Sequence, residues 1–257
     1  MTDLTNAPPT ATAPGQVIDM PLLRRSLAEA GLDVQGDVLE AVAIWARELV
    51  AWNARFNLTR ITSPEEIAIQ HALDALMGLR ALADLDPRQP WRAVDIGAGN
   101  GCPGLILAAA RPGWQWTLVE SQGKATDFLS HAARAMGLTN VRIAKVRAED
   151  AGRDPDLRER FHVGTARGVA RLATLLEYAL PLIRVDGRFV AWKGEGADEE
   201  IAEASGALSQ LGGRVRRRHA YRLPGLDHGR RLVVVAKARK TPRSLPRRAG
   251  TPKREPL

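Results

Sequence analysis

Val94-Asp95-Ile96-Gly97-Ala98-Gly99-Asn100-Gly101-Cys102-Pro103-Gly104 is the stretch around which this chain is organised. Ala93-Val94-Asp95-Ile96 is an apolar approach broken by one acid, the pattern of a short buried strand. It runs into three alternating glycines. Pro103 stands where a helix begins, and Leu105-Ile106-Leu107-Ala108-Ala109-Ala110 continues it until Arg111-Pro112-Gly113. Glycine is required where backbone turns sharply and comes within contact of a ligand, because a Cβ would collide with it. The free N–H groups at the following helix start favour a polar or anionic group. Strand, glycine turn and helix in that order predict a nucleotide-type cofactor loop.

Working outward, Trp116-Thr117-Leu118-Val119-Glu120 reads as the next strand, closed by an acid able to accept from ribose hydroxyls. Gly99 to Gly104 also fits the dinucleotide fingerprint, so the loop alone leaves NAD and S-adenosylmethionine both open. The alternation then continues. A helix is predicted over Gly123–Met136, a strand over Val141–Val146, a loop at Arg147–Asp150 and a strand over Phe161–Ala166. A helix over Leu172–Leu182 is followed by a turn at Asp186-Gly187 and a strand to Lys193. A helix from Asp198 to Leu211 leads to two segments, Arg214–Tyr221 and Arg231–Ala236, that alternate apolar and charged residues around Pro224-Gly225 and predict a closing antiparallel hairpin. This order suits an α/β, Rossmann-like seven-stranded methyltransferase sheet better than a doubly wound dinucleotide fold.

Upstream, helices are predicted over Pro21–Ala30, from an Asp37 cap through Trp52, and from the Ser63-Pro64-Glu65-Glu66 start toward Asp84. The organisation read from the sequence is a flexible arm over residues 1–15, an N-terminal helical cap over 16–85, a methyltransferase domain over 90–238 and a disordered basic tail over 239–257. That last segment carries the chain's charge. From Lys237 onward eight lysines and arginines stand against Glu255 alone, in a chain of net charge +8, and four prolines interrupt them. Such a tail gains affinity for phosphate backbones by releasing counterions; a solvated tail without a partner is the bland alternative.

Composition sets further bounds. A chain of 257 residues that is 45% hydrophobic builds a sizeable core. One cysteine excludes an internal disulfide framework and a cysteine-based zinc site, and no metal is expected. No apolar run approaches the roughly 20 residues that span a bilayer, and the N-terminus lacks the basic start and apolar core of a signal peptide. A cytoplasmic monomer without a membrane partner is the expectation.

Asp95–Gly104, Glu120-Ser121-Gln122-Gly123-Lys124, Arg147-Ala148-Glu149, Arg167 and Trp192-Lys193-Gly194 together resemble the glucose-inhibited division protein B family. Trp52-Asn53, Phe56-Asn57-Leu58-Thr59, His71-Ala72-Leu73-Asp74 and Leu226-Asp227 through Val234 extend the resemblance over residues 20 to 238. It implies an S-adenosylmethionine-dependent methyltransferase acting on guanine N7 of 16S ribosomal RNA, free or in the small ribosomal subunit. It implies a cofactor set of Asp95, Gly97, Gly99, Gly101, Cys102, Glu120, Ala148, Glu149 and Arg167. Gly97 and Cys102 would line the methionine and ribose side, Cys102 through its backbone, with Ala148 and Glu149 beside the adenine and Arg167 facing the RNA. Glu120 stands where the family usually has aspartate, Gln122 where it has an apolar residue, and Ala166 and Gly168 where Ser and Ala flank the arginine.

Guanine N7 offers a lone pair and no proton, so its methylation needs held geometry rather than a general base. No catalytic acid or base is therefore assigned. Lys124, Arg147, Lys193 and Arg230 fall in loops beside the strand ends, where open α/β sheets bind ligands, and are the candidate RNA contacts. His71 and Asp74, three apart on a helix, read as a structural pair. A small-molecule methyltransferase, an NAD-dependent dehydrogenase and a non-catalytic RNA-binding module are the competing readings.

Overall fold

The computed structural model describes residues 15–257; the predicted flexible arm lies outside the described residues except for Gly15. Seven strands form one sheet: β1 (Arg92–Ile96), β2 (Gln115–Glu120), β3 (Val141–Lys145), β4 (Phe161–Arg167), β5 (Ile183–Lys193), β6 (Gly213–Arg222) and β7 (Gly229–Lys237). Their spatial order is β3-β2-β1-β4-β5-β7-β6. β1 to β5 pair in parallel, and β7 is antiparallel to both β5 and β6. The predicted seven-stranded α/β sheet with a closing hairpin is the observed one. Order reverses at β1, whose far neighbours are β2 and β4, so the strand ends on either side of it open a crevice for ligands.

The central strands are buried on both faces, which is why Ala93-Val94 and Phe189-Val190-Ala191 are continuous apolar runs. Neighbouring residues serve opposite layers. Ala93 and Val190 join the cluster containing Trp45, Leu105 and Phe128, whereas Val94 and Ala191 join the one containing Leu172, Leu176 and Leu211.

Helices cover both faces. On the first lie α1 (Met20–Glu29), started by the Asp19 side chain accepting from the Leu22 N–H, and α2 (Gly36–Phe56). α2 begins one residue before Asp37, whose carboxylate accepts from its neighbour Val38 N, and it ends at Asn57 in the left-handed conformation. Ser63 then caps α3 (Pro64–Glu66) as its sequence predicts, accepting from the Glu66 N–H. The chain continues through a π-helical stretch, Ile67–Leu73, into α4 (Asp74–Leu76) and α5 (Gly78–Ala81). Period-3.6 reading does not foresee the π stretch, which shifts side-chain facing by part of a turn and commonly marks a functional site. α6 (Gly104–Ala110) and α7 (Gly123–Ala135) complete this layer, with α2 packed across both. The helical cap therefore shares one apolar cluster with the sheet.

Arg147–Asp150, predicted as a loop, contains a short helix, α8 (Ala148–Ala151), too brief for periodicity to register. On the second face lie α9 (Leu172–Ala179), α10 (Ala197–Glu203) and α11 (Ser205–Leu211); the helix predicted over Asp198–Leu211 breaks at Ala204. β5 starts at Ile183, before the predicted Asp186-Gly187 turn. Asp186 has φ 66, and around it residues 184–187 of β5 stand against a single residue of β4, so the strand leaves the ladder where the turn is predicted and rejoins it at Arg188.

The largest departure is the segment after β7. It is packed against the second face and ends in α12 (Thr251–Arg254), where the sequence predicts a disordered tail. Lys237 is buried, donating to Leu180 O and Thr241 Oγ1, and burial lowers its pKa to about 7. Arg158 donates to the carbonyls of Thr241, Pro242 and Leu245 at 2.8–3.0 Å, and Leu245 is buried. Arg247 grips the fully buried Glu177 carboxylate through Nε at 3.0 Å and Nη2 at 2.6 Å. Composition counts the charges of this segment but not the acids that answer them, which sit on distant elements. Its buried apolar anchors, Leu245, Pro246 and Pro252, are too few to register in a composition average.

Candidate active site

The glycine loop is held from beneath. Asp95 is fully buried at the end of β1, accepting from Thr165 Oγ1 at 2.6 Å and from the Gly104 N–H at 3.1 Å. Burial raises its pKa to about 7. Its carboxylate thus ties β4 and the start of α6 to the loop. The Gly97 and Ala98 amides donate to Val119 O, and Trp45 Nε1 donates to Asn100 O at 2.9 Å, so the cap clamps the loop tip. Gly97 has φ 67, and a Cβ there would lie 2.7 Å from Val169 Cγ2. Gly99 has φ 51 with open space beside it, whereas a Cβ on Gly101 would meet Leu105 at 2.5 Å. Gly101 makes room for the helix, whereas the space beside Gly99 is left open.

Glu120 ends β2 with its carboxylate turned back over the loop. Oε2 accepts from Gly99 N at 3.0 Å, and Oε1 accepts from Ser121 N and Gln122 N at 2.7 and 2.8 Å. A cavity of about 220 Å³ opens beside it, lined by Gly97, Glu120, Ala148, Glu149, Val169 and Tyr178 among others. A cradle that a Cβ would fill, an oriented carboxylate and two further strand-end residues fit an adenosyl group. Cys102 lies outside that lining, buried, with burial raising its thiol pKa to about 12.

A second cavity, about 540 Å³, lies on the other side of Val169 and is lined by Arg60, His71, Asp74, Arg167, Lys193 and Arg230, with several backbone groups. Its floor is one connected network. Arg167 donates through Nη1 to Gln70 O at 2.7 Å and to Asp74 Oδ2 at 2.8 Å, and through Nη2 to His71 Nδ1 at 2.8 Å. Tyr221 donates to the other Asp74 oxygen at 2.6 Å, and Trp192 Nε1 donates to the Asp74 carbonyl. Burial and the Arg167 charge lower the His71 pKa to about 3. The ring is therefore neutral, with Nδ1 accepting and Nε2 donating to Thr59 Oγ1 at 3.0 Å. Lys193 is tied to Glu200 and the Ala170 carbonyl, both at 2.7 Å.

The structure gathers Gly97, Glu120, Ala148 and Glu149 at the first cavity, and Arg167, Lys193 and Arg230 at the second. Arg147 also lines the first cavity, away from the basic group it was predicted to join. Lys124 lines neither; its ammonium sits 5.4 Å from the Phe56 ring centre. His71 and Asp74, read as a mutual pair, instead both bind Arg167. Arg60, Gln70 and Tyr221 escape sequence reading, the first two because nothing local marks them. Tyr221 alone carries a signal, being the aromatic residue at the end of an otherwise arginine-rich strand. Among the described residues no cluster of metal-ligating side chains occurs, and no helix is long and apolar enough to cross a membrane.

Comparison with known proteins gives the family. The family described as rRNA small subunit methyltransferase G matches residues 38–224. Ribosomal RNA small subunit methyltransferase G of Symbiobacterium thermophilum is 44% identical over 241 residues, covering 92% of this chain and 97% of that protein. Its counterpart in Roseiflexus castenholzii is 43% identical over 235 residues, 91% of this chain and 98% of the other. Among solved structures, YcgJ from Bacillus subtilis superposes with a TM-score of 0.50 at 16% identity, over 66% of this chain and all of its own, a likeness of fold alone. With a family match across most of its length and relatives above 40% identity, the chain belongs to the rRNA small subunit methyltransferase G family.

Proposed function

We propose that this chain transfers the methyl group of S-adenosylmethionine to N7 of a guanine in 16S ribosomal RNA, with the adenosyl end of the cofactor in the 220 Å³ cavity and the base in the 540 Å³ cavity. The observation that carries the reading is the shared wall. Residues 167–170 at the end of β4 give Val169 to the first cavity and Arg167, Gly168 and Ala170 to the second. A nucleoside cradle and a basic acceptor cavity thus meet across one residue.

When bound, the cofactor supplies an activated methyl group on a sulfonium. The chain supplies geometry. Gly97 and Gly99 let backbone approach the cofactor, and Glu120, already aligned by three amides, accepts from ribose hydroxyls. Arg167, immobilised by three partners, forms a rigid floor, while Arg60 and Arg230 meet phosphate or base edges. The bases at the floor of the acceptor cavity are engaged: both Asp74 oxygens accept hydrogen bonds, both His71 nitrogens are occupied, and at the rim Glu200 Oε2 accepts from Lys193 and the Leu172 N–H. That suits an acceptor with a lone pair and no proton to surrender, and it supports N7 over an exocyclic amine.

The test is methyl transfer from labelled S-adenosylmethionine to deproteinised small-subunit RNA and to intact small subunits, followed by chemical scission at N7-methylguanine. Label recovered at one N7 supports the reading. Label on an exocyclic nitrogen, or none on either RNA form, overturns it.

A further inference from the structure

The family model matches residues 38–224, so the segment after β7 lies outside that match. Even so, Gly250 and Lys253 line the 220 Å³ cavity together with Glu120 and Glu149. The segment reaches it by successive anchors. Pro246 packs over Gly152, where a Cβ would stand 2.9 Å from its ring, and its carbonyl accepts from Arg153 Nε. Arg247 holds Glu177, and Thr174 Oγ1 donates to Pro252 O at 3.0 Å. Between them Gly250, with φ 84, turns the chain so that its N–H donates to Glu149 Oε1 at 2.8 Å. Glu149 is itself buried at the cavity wall.

We propose that this C-terminal segment is a working part of the cofactor site: the Gly250 N–H fixes the Glu149 carboxylate, and the Lys253 ammonium donates to the adenosyl end of the bound cofactor. The inference rests on the 220 Å³ cavity being the S-adenosylmethionine site. A nucleoside presents both donors and acceptors at its edge. A fixed carboxylate answers the donors, and an ammonium with three N–H groups answers the acceptors. Lys253 makes no hydrogen bond or ion pair among the described residues, so its donors are available to a ligand. A disordered RNA-binding arm would not need a glycine placed to cap one specific buried carboxylate.

The experiment uses the full chain and two probes, S-adenosylhomocysteine and 5′-methylthioadenosine, measured by calorimetry. Lys253→Ala should weaken both by about five-fold, the loss of one partly exposed hydrogen bond. Arg248→Ala and Arg254→Ala, at exposed positions that do not line the cavity, should change neither. Melting temperature should be the same for all three variants, because none removes a buried group. Deletion of Thr241–Leu257 should weaken both probes by more than ten-fold, but it also strands Glu177, so the point variants decide. Unchanged affinity in Lys253→Ala overturns the inference. So does a loss seen with S-adenosylhomocysteine but absent from 5′-methylthioadenosine, which would put Lys253 at the amino-acid end. Equal weakening of RNA binding by all three variants with intact cofactor affinity would mark the segment as an RNA arm instead. Failure of the wild-type chain to bind either probe would bring down the proposed function itself, a result distinct from each of these.

Discussion

The two cavities on either side of Val169 are built by opposite means. The nucleoside cavity is made of backbone: glycines at positive φ, a carboxylate held by the amides of Gly99, Ser121 and Gln122, and a C-terminal glycine N–H on Glu149. The acceptor cavity is made of side chains, with Arg167 held at its floor by a π-helical stretch and Asp74 joined to it by Tyr221 from the far hairpin. Backbone sites tolerate side-chain change around them but not a Cβ within them. Side-chain networks are the reverse: each member's removal leaves another buried polar group unanswered. The two cavities should therefore fail differently under mutation.

The largest effect is expected at the floor of the acceptor cavity. Arg167→Ala leaves the Asp74 carboxylate, 1% exposed, without its cation, a loss of about 3–5 kcal/mol for a broken buried pair. Urea denaturation measures it. Arg167→Lys keeps the charge but cannot span Gln70, His71 and Asp74 together. It should lower the methyl-transfer rate by at least ten-fold while leaving S-adenosylhomocysteine affinity within two-fold. An equal loss of cofactor affinity would mean that the cavities are one energetic unit.

Next is pH. His71 ordinarily titrates near 6.5 and is held to about 3 in the fold by burial and Arg167. A base with a depressed folded pKa adds a stability that is complete above pH 6.5 and is lost as pH falls toward 3. Between pH 6.5 and 4.5 that loss is about 2–3 kcal/mol. His71→Asn, which keeps an acceptor for Arg167, should flatten stability over this window. Over pH 6.5–8.5 His71 stays neutral in the acceptor cavity, so the chemical step at saturating RNA should be flat. A bell-shaped profile there would reveal a general base and count against transfer to N7.

On the backbone side, Gly97→Ala places a Cβ in left-handed conformation against Val169, a cost of about 1–2 kcal/mol. Cofactor affinity should fall by at least ten-fold while KM for RNA stays within two-fold. This is the mirror image of Arg167→Lys, and the pair of variants together measures how independent the cavities are.

The same contrast explains what was legible in the sequence. The nucleoside cavity rests on short-range rules, a strand end, glycines at alternate positions and an acid closing the next strand, so Gly97, Gly99 and Glu120 stand out in one linear reading. Asp95 stood out too, but strand position cannot reveal that its carboxylate turns inward to Thr165 and Gly104. The acceptor network joins residues 59, 70, 71, 74, 167 and 221, whose contacts span up to 147 positions. No periodicity encodes such distances, and the π stretch rotates His71 and Asp74 off the faces that a regular helix would assign. The C-terminal segment misled composition for a related reason: it looks solvated until Glu177 is seen to take the Arg247 guanidinium, and Glu159 and Glu149 to accept from the backbone N–H groups of Thr241 and Gly250.

The smallest effect tests where the RNA footprint ends. Lys124 sits at the start of α7 beside Glu120 in sequence, and on that ground alone it looks like a phosphate contact. In the fold its ammonium lies over the Phe56 ring at the end of α2, and it borders neither cavity. An exposed cation–π contact contributes about 0.5–1 kcal/mol at most, so Lys124→Met, which keeps the apolar stem, should cost less than about 0.5 kcal/mol. Because the acceptor cavity is ringed by Arg60, Lys193 and Arg230 instead, KM for RNA should stay within two-fold and the dependence of log K on log salt should keep its slope. A slope shallower by about 0.7–0.9 would count one released counterion and extend the RNA surface past Phe56 onto the cap. The same measurement on Arg60→Met should then give the full loss of slope, since that residue lines the acceptor cavity itself. If Lys124 and Arg60 lose the same slope, the basic contacts belong to the whole face of the molecule and not to the cavity, and the distinction between a backbone site and a side-chain site would hold for the cofactor alone.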